Sequence, residues 1–483
     1  MVIDALKYQI LQQFGFVPTE EQGQALDAFA RFLTDRDPDA VMILRGSAGT
    51  GKTSLSGAIV RTLKAIRQKV MLLAPTGRAA KVFSLNSGCP AYTIHRRIYR
   101  EKLFAGVDGQ FNLNDNLFTD TLFMVDEASM ISNLGLGGGN FGSGCLLDDL
   151  VRFVYQGHND RLMLIGDKAQ LPPVGEEESP ALNRMMLEGY GLKVYECDLN
   201  EVLRQSQESG ILYNATVIRQ MITHDDITQL PLIRFKGFAD IVMMPGNELV
   251  ESLANSYYRV GQDETMVITR SNKRANIYNN GIRNMVLDRE EELSCGDMLM
   301  IVKNNYFWTE KERNEAKEAL NAIPPFLANG DRAKVLRVSR HMELYGFRFA
   351  TLLLQFPDYD NYEMSVTALL DTLQSEAPAL THEQQEQLFH GVEEDYQDVP
   401  LKADRMKAIR GDQYFNALQV KYAYAITCHK AQGGQWEHVY VDQGYMTDDM
   451  LTPDYIHWLY TAFTRAKDKL FLVNWPKTQT EQA

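Results

Sequence analysis

Residues 45–53 read Arg45-Gly46-Ser47-Ala48-Gly49-Thr50-Gly51-Lys52-Thr53. An apolar run at 40–44 precedes them. Leu55, Ala58, Ile59, Leu63 and Ile66 follow at spacings that bury one face of a helix. Strand, glycine-rich turn and helix, in that order, form the context in which G-x-x-x-x-G-K-[ST] cradles phosphate. Gly46, Gly49 and Gly51 let backbone N–H groups close round phosphate oxygens, with Thr50 and Ser54 in the same stretch. Lys52 reaches the β- and γ-phosphates, and the Thr53 hydroxyl suits Mg²⁺. The helix N-terminus adds partial positive charge at that point. The expected ligand is therefore a nucleoside triphosphate with Mg²⁺, and the expected fold class is α/β.

Composition sets the bounds around this motif. A chain of 483 residues with 45% hydrophobic and 23% charged residues can build several sizeable cores. A net charge of −14 argues against a protein that coats nucleic acid indiscriminately, although a local basic groove remains compatible with it. The five cysteines are scattered without a C-x-x-C pair, so neither zinc nor an iron–sulfur cluster is expected. Free thiols in a reducing compartment fit that pattern, and the expected location is cytoplasmic. Residues 1–16 are broken by Asp4, Lys7 and several glutamines and read as neither a signal peptide nor a membrane span.

Short apolar runs at 41–44, 70–74, 122–125 and 162–165 alternate with helical patterns, as buried parallel strands do. They predict a P-loop α/β domain over roughly the first 180 residues. Runs at 266–269, 439–441 and 470–473 predict a second α/β domain from about residue 200. Two segments interrupt the pattern. Residues 96–117 suggest a β-hairpin with a glycine-containing turn. Strand-like runs at 333–338, 349–355 and 362–366, then polar helical sequence from Thr381, suggest a small inserted β domain with a helical arm. The glycine-rich tract at 133–144 reads as a surface loop.

Phosphate cleavage also needs a carboxylate for the metal, a group to orient water, and positive charge for the transition state. The strand-like run 122–125 ends in Asp126 and Glu127; Asp126 suits Mg²⁺ and Glu127 suits the attacking water. The run 162–165 leads into Gly166-Asp167-Lys168-Ala169-Gln170-Leu171-Pro172-Pro173, where Gln170 is placed to sense a γ-phosphate.

Taken in order, Gly49-Thr50-Gly51-Lys52-Thr53, Asp126-Glu127-Ala128-Ser129 and the Asp167–Pro173 run resemble superfamily 1 DNA helicases of the RecD-like and Dda-like branch. The stretches at 199–205, 425–436 and 459–467 resemble that family's later motifs. The resemblance implies two RecA-like P-loop domains with parallel sheets, at residues 1–190 and at 191–330 with 416–483. It also implies a hairpin insertion at about 96–117, and a small Src-homology-3-like β-barrel with a helical arm inserted at 331–415. It gives Gln22 the reading of adenine, Arg204 and Arg465 the role of arginine fingers, and Gly434 a place beside the nucleotide. An arginine finger is worth about 10³–10⁵ in rate.

By the same resemblance, single-stranded DNA would be held by Pro75, Thr76, His95 and Arg96 on the first domain. Asn272, Thr427, His429 and Lys430 would hold it on the second. Hydroxyls, amides and backbone N–H groups grip phosphates without dense charge, which reconciles binding with the acidic total. Phe104 or Phe111 in the hairpin would stack on the last base pair as a strand-separating pin; alternatively, both pack into the hairpin's own small core. The implied protein is an ATP-dependent helicase and single-strand translocase, running 5′ to 3′ and acting at duplex/single-strand junctions. It is expected to be a monomer that works beside replication or repair proteins, with no membrane. A P-loop kinase, or a nucleic-acid-dependent ATPase that remodels without unwinding and acts on RNA, is the alternative. A GTPase is disfavoured because Asn272-Lys273 is followed by Arg274 and Ala275, so the guanine-reading Asp is missing.

Overall fold

The strand Ala40–Gly46 lies inside a six-stranded sheet. A computed structural model gives the structure and describes residues 2–101, 111–135, 142–202, 208–224, 227–315, 323–324 and 326–481. Across the sheet run the strands Ala91–Thr93, Lys69–Ala74, Thr121–Val125, Arg161–Gly166, Ala40–Gly46 and Lys193–Leu199, with every pairing parallel. Alternate residues of a strand face opposite sides. Accordingly, Ala40, Met42 and Leu44 join one core with the helices Val2–Phe14, Glu20–Thr34 and Lys52–Ala65. Val41 and Ile43 join a second core with the helix Leu146–Gln156. Burial on both faces explains the unbroken apolar run at 40–44.

A second parallel sheet runs Ala425–Thr427, Thr265–Thr269, Trp436–Asp442, Ala466–Val473 and Ile241–Met244. Two RecA-like domains are thus present. The expected strands at 41–44, 70–74, 122–125 and 162–165 fall in the first sheet, and those at 266–269, 439–441 and 470–473 in the second. The edge strands Ala91–Thr93 and Lys193–Leu199 gave no comparable sequence signal. The first has only three residues, and the second is mostly half-buried with charged positions.

The inserted β domain is a closed five-stranded barrel of Met298–Ile301, Arg332–Leu344, Phe347–Phe356, Tyr362–Leu369 and Leu418–Tyr422. Its first and last strands therefore lie outside the expected 331–415. Both are short and fully buried, so their pattern is that of a parallel-domain strand. The helices His382–Asp395 and Lys402–Arg410 pack with Phe347, Phe349 and Leu369 into a separate small core, forming the arm. The first of them starts at a capping box built by Thr381 and Gln384. At 99–113, the strands Tyr99–Glu101 and Phe111–Leu113 pair antiparallel, as a hairpin requires. Phe104 lies outside the described residues. No helix among the described residues is long and apolar enough to cross a membrane.

Candidate active site

The phosphate loop joins the strand Ala40–Gly46 to the helix Lys52–Ala65. Gly49 and Gly51 have φ of 78° and 75°, in the left-handed region that a side chain would strain. At Gly46 a Cβ would sit 3.0 Å from Thr50 Oγ1 and 3.3 Å from Leu199 Cβ, so a side chain there would press on the loop. Lys52 Nζ donates to the Gly46 carbonyl at 3.0 Å, holding the ammonium over the loop. The Thr50 hydroxyl donates to Ser47 O at 2.8 Å, whereas Thr53 and Ser54 are exposed at the helix start. Behind the loop, Arg45 forks between Asp198 and Glu196 and fixes the end of its strand.

Gln22 is fully buried and joins two elements. Its Oε1 accepts from Thr19 N at 3.0 Å within a capping box, and its Nε2 donates to Thr50 O at 2.9 Å. The residue that the family resemblance gives to adenine thus also braces the phosphate loop.

Asp126 and Glu127 end the strand Thr121–Val125 beside the loop. Glu127 adopts φ 53°, and its N–H donates to Asp126 Oδ1 at 2.9 Å. Burial and the neighbouring Glu127 push the Asp126 carboxyl up, against the pull of Lys52. A cation at that point would remove the conflict. Among the described residues, Glu127 Oε2, Ser129 Oγ and Gln170 Oε1 are buried without a hydrogen-bond partner. Buried polar atoms are normally satisfied, so these orphaned oxygens and hydroxyl mark a place for polar atoms from outside the chain. Thr53, Asp126 and Glu127 fit a Mg²⁺-bound triphosphate in donor type and charge.

The second domain meets this wall directly. Tyr460, on the helix Pro453–Phe463, donates to Asp167 Oδ2 at 2.6 Å and accepts from Ala48 N at 3.0 Å. Leu171 N donates to Thr461 Oγ1 at 2.7 Å, and Gln432 Nε2 donates to Leu171 O at 2.7 Å. Ala169 and Leu171 are buried in the second domain's core, so the loop carrying Gln170 is embedded in the opposite domain.

Arg465 is buried. Its guanidinium donates to Thr461 O, Gly434 O and Thr464 Oγ1 at 3.0–3.2 Å, all from its own domain. Gly434 packs on the Trp436 ring, where a Cβ would come within 2.6 Å. Arg204 lies outside the described residues. The cation seen touching the phosphate loop from the second domain is one that the sequence motifs passed over, Arg219, whose Nη1 donates to Ser47 Oγ.

Of the expected strand-binding residues, Thr76 lies at the seam between domains, beside Gly433. The Thr76 hydroxyl caps the helix Gly77–Ser87 by accepting from Ala79 N at 3.2 Å. A Cβ on Gly433 would lie 3.1 Å from that hydroxyl. Pro75, Thr76, Thr427 and Lys430 are half-buried and His429 is exposed. Burial pushes Lys430 down. Burial also takes His95 to about 4, so its imidazole is neutral at pH 7. Arg96 is exposed, with its guanidinium 5.2 Å from the Tyr92 ring centre. Asn272 opens the helix Asn272–Gly281, which Ser271 caps. The hairpin side chain of Phe111 lies outside the described side chains.

The family model "AAA domain" matches residues 19–227, and "UvrD-like helicase C-terminal domain" matches 422–473. An uncharacterized protein of Methanocaldococcus jannaschii, MJ1519, is 33% identical over 171 residues, covering 33% of this chain and 14% of that protein. The ATP-dependent RecD2 DNA helicase of Deinococcus radiodurans is 31% identical over 156 residues, covering 32% of this chain and 18% of its own. The matches span less than a fifth of the length of either relative. The crystal structure of Pif1 helicase from Bacteroides in complex with ADP-AlF3 and ssDNA aligns with a TM-score of 0.47 at 14% identity, covering 97% of this chain and 95% of that chain. In chain order, then, an AAA-type segment is followed by a segment similar to the C-terminal domain of UvrD-like helicases. The part of the chain that carries these matches is thus similar to RecD-type helicase sequence.

Proposed function

We propose that this chain is an ATP-dependent DNA helicase and single-strand translocase that moves 5′ to 3′ and opens duplex at a single-strand junction. The observation that carries the reading is the Tyr460 hydroxyl, bonded to the phosphate loop at Ala48 and to Asp167 beside the Gln170 loop. One hydrogen-bonded group from the second domain therefore touches two elements that surround the triphosphate site. Any change in phosphate occupancy is felt by both domains.

Bound ATP with Mg²⁺ supplies the cleavable phosphoryl bond. Lys52 and the loop amides hold the phosphates, Thr53 and Asp126 hold the metal, and Glu127 orients water. Gln170 senses the terminal phosphate from a loop embedded in the second domain. Arg204 and Arg465 are proposed to supply transition-state charge, with Arg465 exchanging its carbonyl partners for phosphate as the seam closes. Thr76 of the first domain lies against Gly433, a few residues after Thr427, His429 and Lys430 of the second, which supports a strand held by both domains and moved as they close and open. Phe104 or Phe111 is proposed as the pin.

The deciding experiment compares unwinding of 5′-tailed and 3′-tailed DNA duplexes, with ATP consumption followed in parallel and an RNA-tailed arm included. Unwinding of the 5′-tailed DNA alone is expected. Turnover indifferent to any oligonucleotide would remove the motor reading, and preference for the RNA-tailed arm would change its substrate.

A further inference from the structure

The helix Gly210–Thr223 has two faces. Ile211, Ala215 and Ile218 are buried in the core of the second domain. Leu212 and Arg219, seven positions apart and so on one face, look at the phosphate loop. A Cβ on Gly49 would lie 3.4 Å from both Leu212 methyl carbons and 3.4 Å from Val202 Cγ1, so the loop apex rests on this helix. Arg219 Nη1 donates to Ser47 Oγ, and both terminal nitrogens donate to Asn200 O at 3.3 Å. Asn200 immediately follows the first domain's last strand, Lys193–Leu199. Its N–H and that of Glu201 both donate to Glu21 Oε2.

Arg219 therefore stands where the loop, the interdomain linker and the second domain converge. Its acceptors there are a hydroxyl and a carbonyl, both neutral, and none of the ion pairs among the described residues uses it. A guanidinium forms markedly stronger, charge-assisted bonds with anionic oxygens. Its charge also reaches Tyr460, the bridge to Asp167. It thus stands at the Ser47-Ala48 part of the loop, where the Tyr460 hydroxyl also bonds Ala48 and Asp167.

We propose that Arg219 contacts the terminal phosphate of the bound triphosphate and so reports, through the helix Gly210–Thr223 and the linker at Asn200, whether that phosphate is present. The proposal rests on the nucleotide-site reading but not on unwinding. In the triphosphate complex, Arg219 exchanges Ser47 Oγ and Asn200 O for phosphate oxygen. This releases the linker from the loop and couples the exchange to domain movement.

The test measures binding of a non-hydrolysable ATP analogue and of ADP, each with Mg²⁺, to the full chain and to Arg219→Gln, Arg219→Lys and Lys52→Ala. Gln keeps neutral hydrogen bonds to Ser47 and Asn200, whereas Lys keeps only the charge. Arg219→Gln is expected to weaken the triphosphate analogue about tenfold or more, with ADP changed less than about threefold, and Arg219→Lys to fall between. Thermal melting should be unchanged in Arg219→Gln, which separates this outcome from misfolding. Equal losses for both nucleotides, or a Gln variant that binds the analogue like wild type, would reduce Arg219 to a tie between loop and linker. Lys52→Ala is the control for the site itself. If it binds both nucleotides normally, the phosphate-loop reading fails; if it loses binding while Arg219→Gln binds both like wild type, only the Arg219 proposal fails.

Discussion

The two walls of the seam are built differently. On the first-domain side, the reactive groups stand at the ends of buried parallel strands. Asp126 and Glu127 follow Thr121–Val125, Asp167 follows Arg161–Gly166, and the phosphate loop follows Ala40–Gly46. Their backbones are fixed by neighbours on both sides, and Glu127 Oε2 and Gln170 Oε1 stay buried without partners among the described residues. On the second-domain side, the groups are long side chains on helices or just past a helix end. Tyr460 and Arg219 bond the opposite wall, while Arg465 is folded back on its own domain. The first wall is preorganised for charge; the second carries the groups proposed above to exchange partners. The proposed motor would need this asymmetry, because a site rigid on both walls could bind and cleave but could not transmit.

The comparison breaks first at Lys52. Lys52→Ala should lower ATP turnover by at least about a hundredfold, since it removes a fixed cation from the phosphates. Substantial residual turnover would mean that the first wall is not the one organised for chemistry. Arg465→Ala comes next. Turnover is expected to fall by about 10³ with binding of an ATP analogue nearly retained. Parallel loss of binding, turnover and melting temperature would instead leave Arg465 a structural tie for Thr461 and Gly434. Tyr460→Phe sharpens the comparison at the join. It strips a partner from buried Asp167 and from Ala48 N, for a stability loss of about 1–3 kcal/mol read by denaturant unfolding. Stimulation of ATP turnover by DNA should drop with it; undiminished stimulation would show that coupling runs elsewhere.

The smallest effect concerns the contact between the first domain and the barrel. Buried Asp331 accepts from Tyr359 OH and from Ala328 N, both at 2.7 Å, and a Cβ on Gly77 would lie 2.6 Å from its Oδ1. Burial, with Asp358 adding, pushes its carboxyl up to about 7, against those two hydrogen bonds. The folded chain then holds the proton more tightly than the unfolded one. The contribution to stability is full below the ordinary carboxylate range and is lost as pH rises through about 7. Asp331→Asn should therefore melt a few degrees above wild type at pH 8, with a markedly smaller gap at pH 5. Equal melting at both would remove Asp331 as the titrating group.

Much of the first wall was legible in the sequence because each part is local. The loop, Asp126-Glu127 and the run to Pro173 each occupy a few consecutive residues after an apolar strand, and they stand together where the strands end. The barrel was legible in its middle strands and misjudged at its ends, because four or five buried residues carry no mark of which sheet they join. Arg219 carried no signal at all. Its role comes from a helix face whose partner lies 172 positions earlier in the chain.

The amino-acid order alone thus fixed the phosphate loop, the carboxylate pair and the alternation that makes two parallel sheets, since each follows from backbone geometry and burial over short spans. Only the packed structure decided that the loop after Arg161–Gly166 is embedded in the opposite domain, that Tyr460 bridges Ala48 and Asp167, and that Arg219 rather than Arg465 touches the phosphate loop. Those pairings join residues far apart in sequence, and a side chain's choice among partners depends on which surfaces the tertiary packing brings within hydrogen-bonding reach.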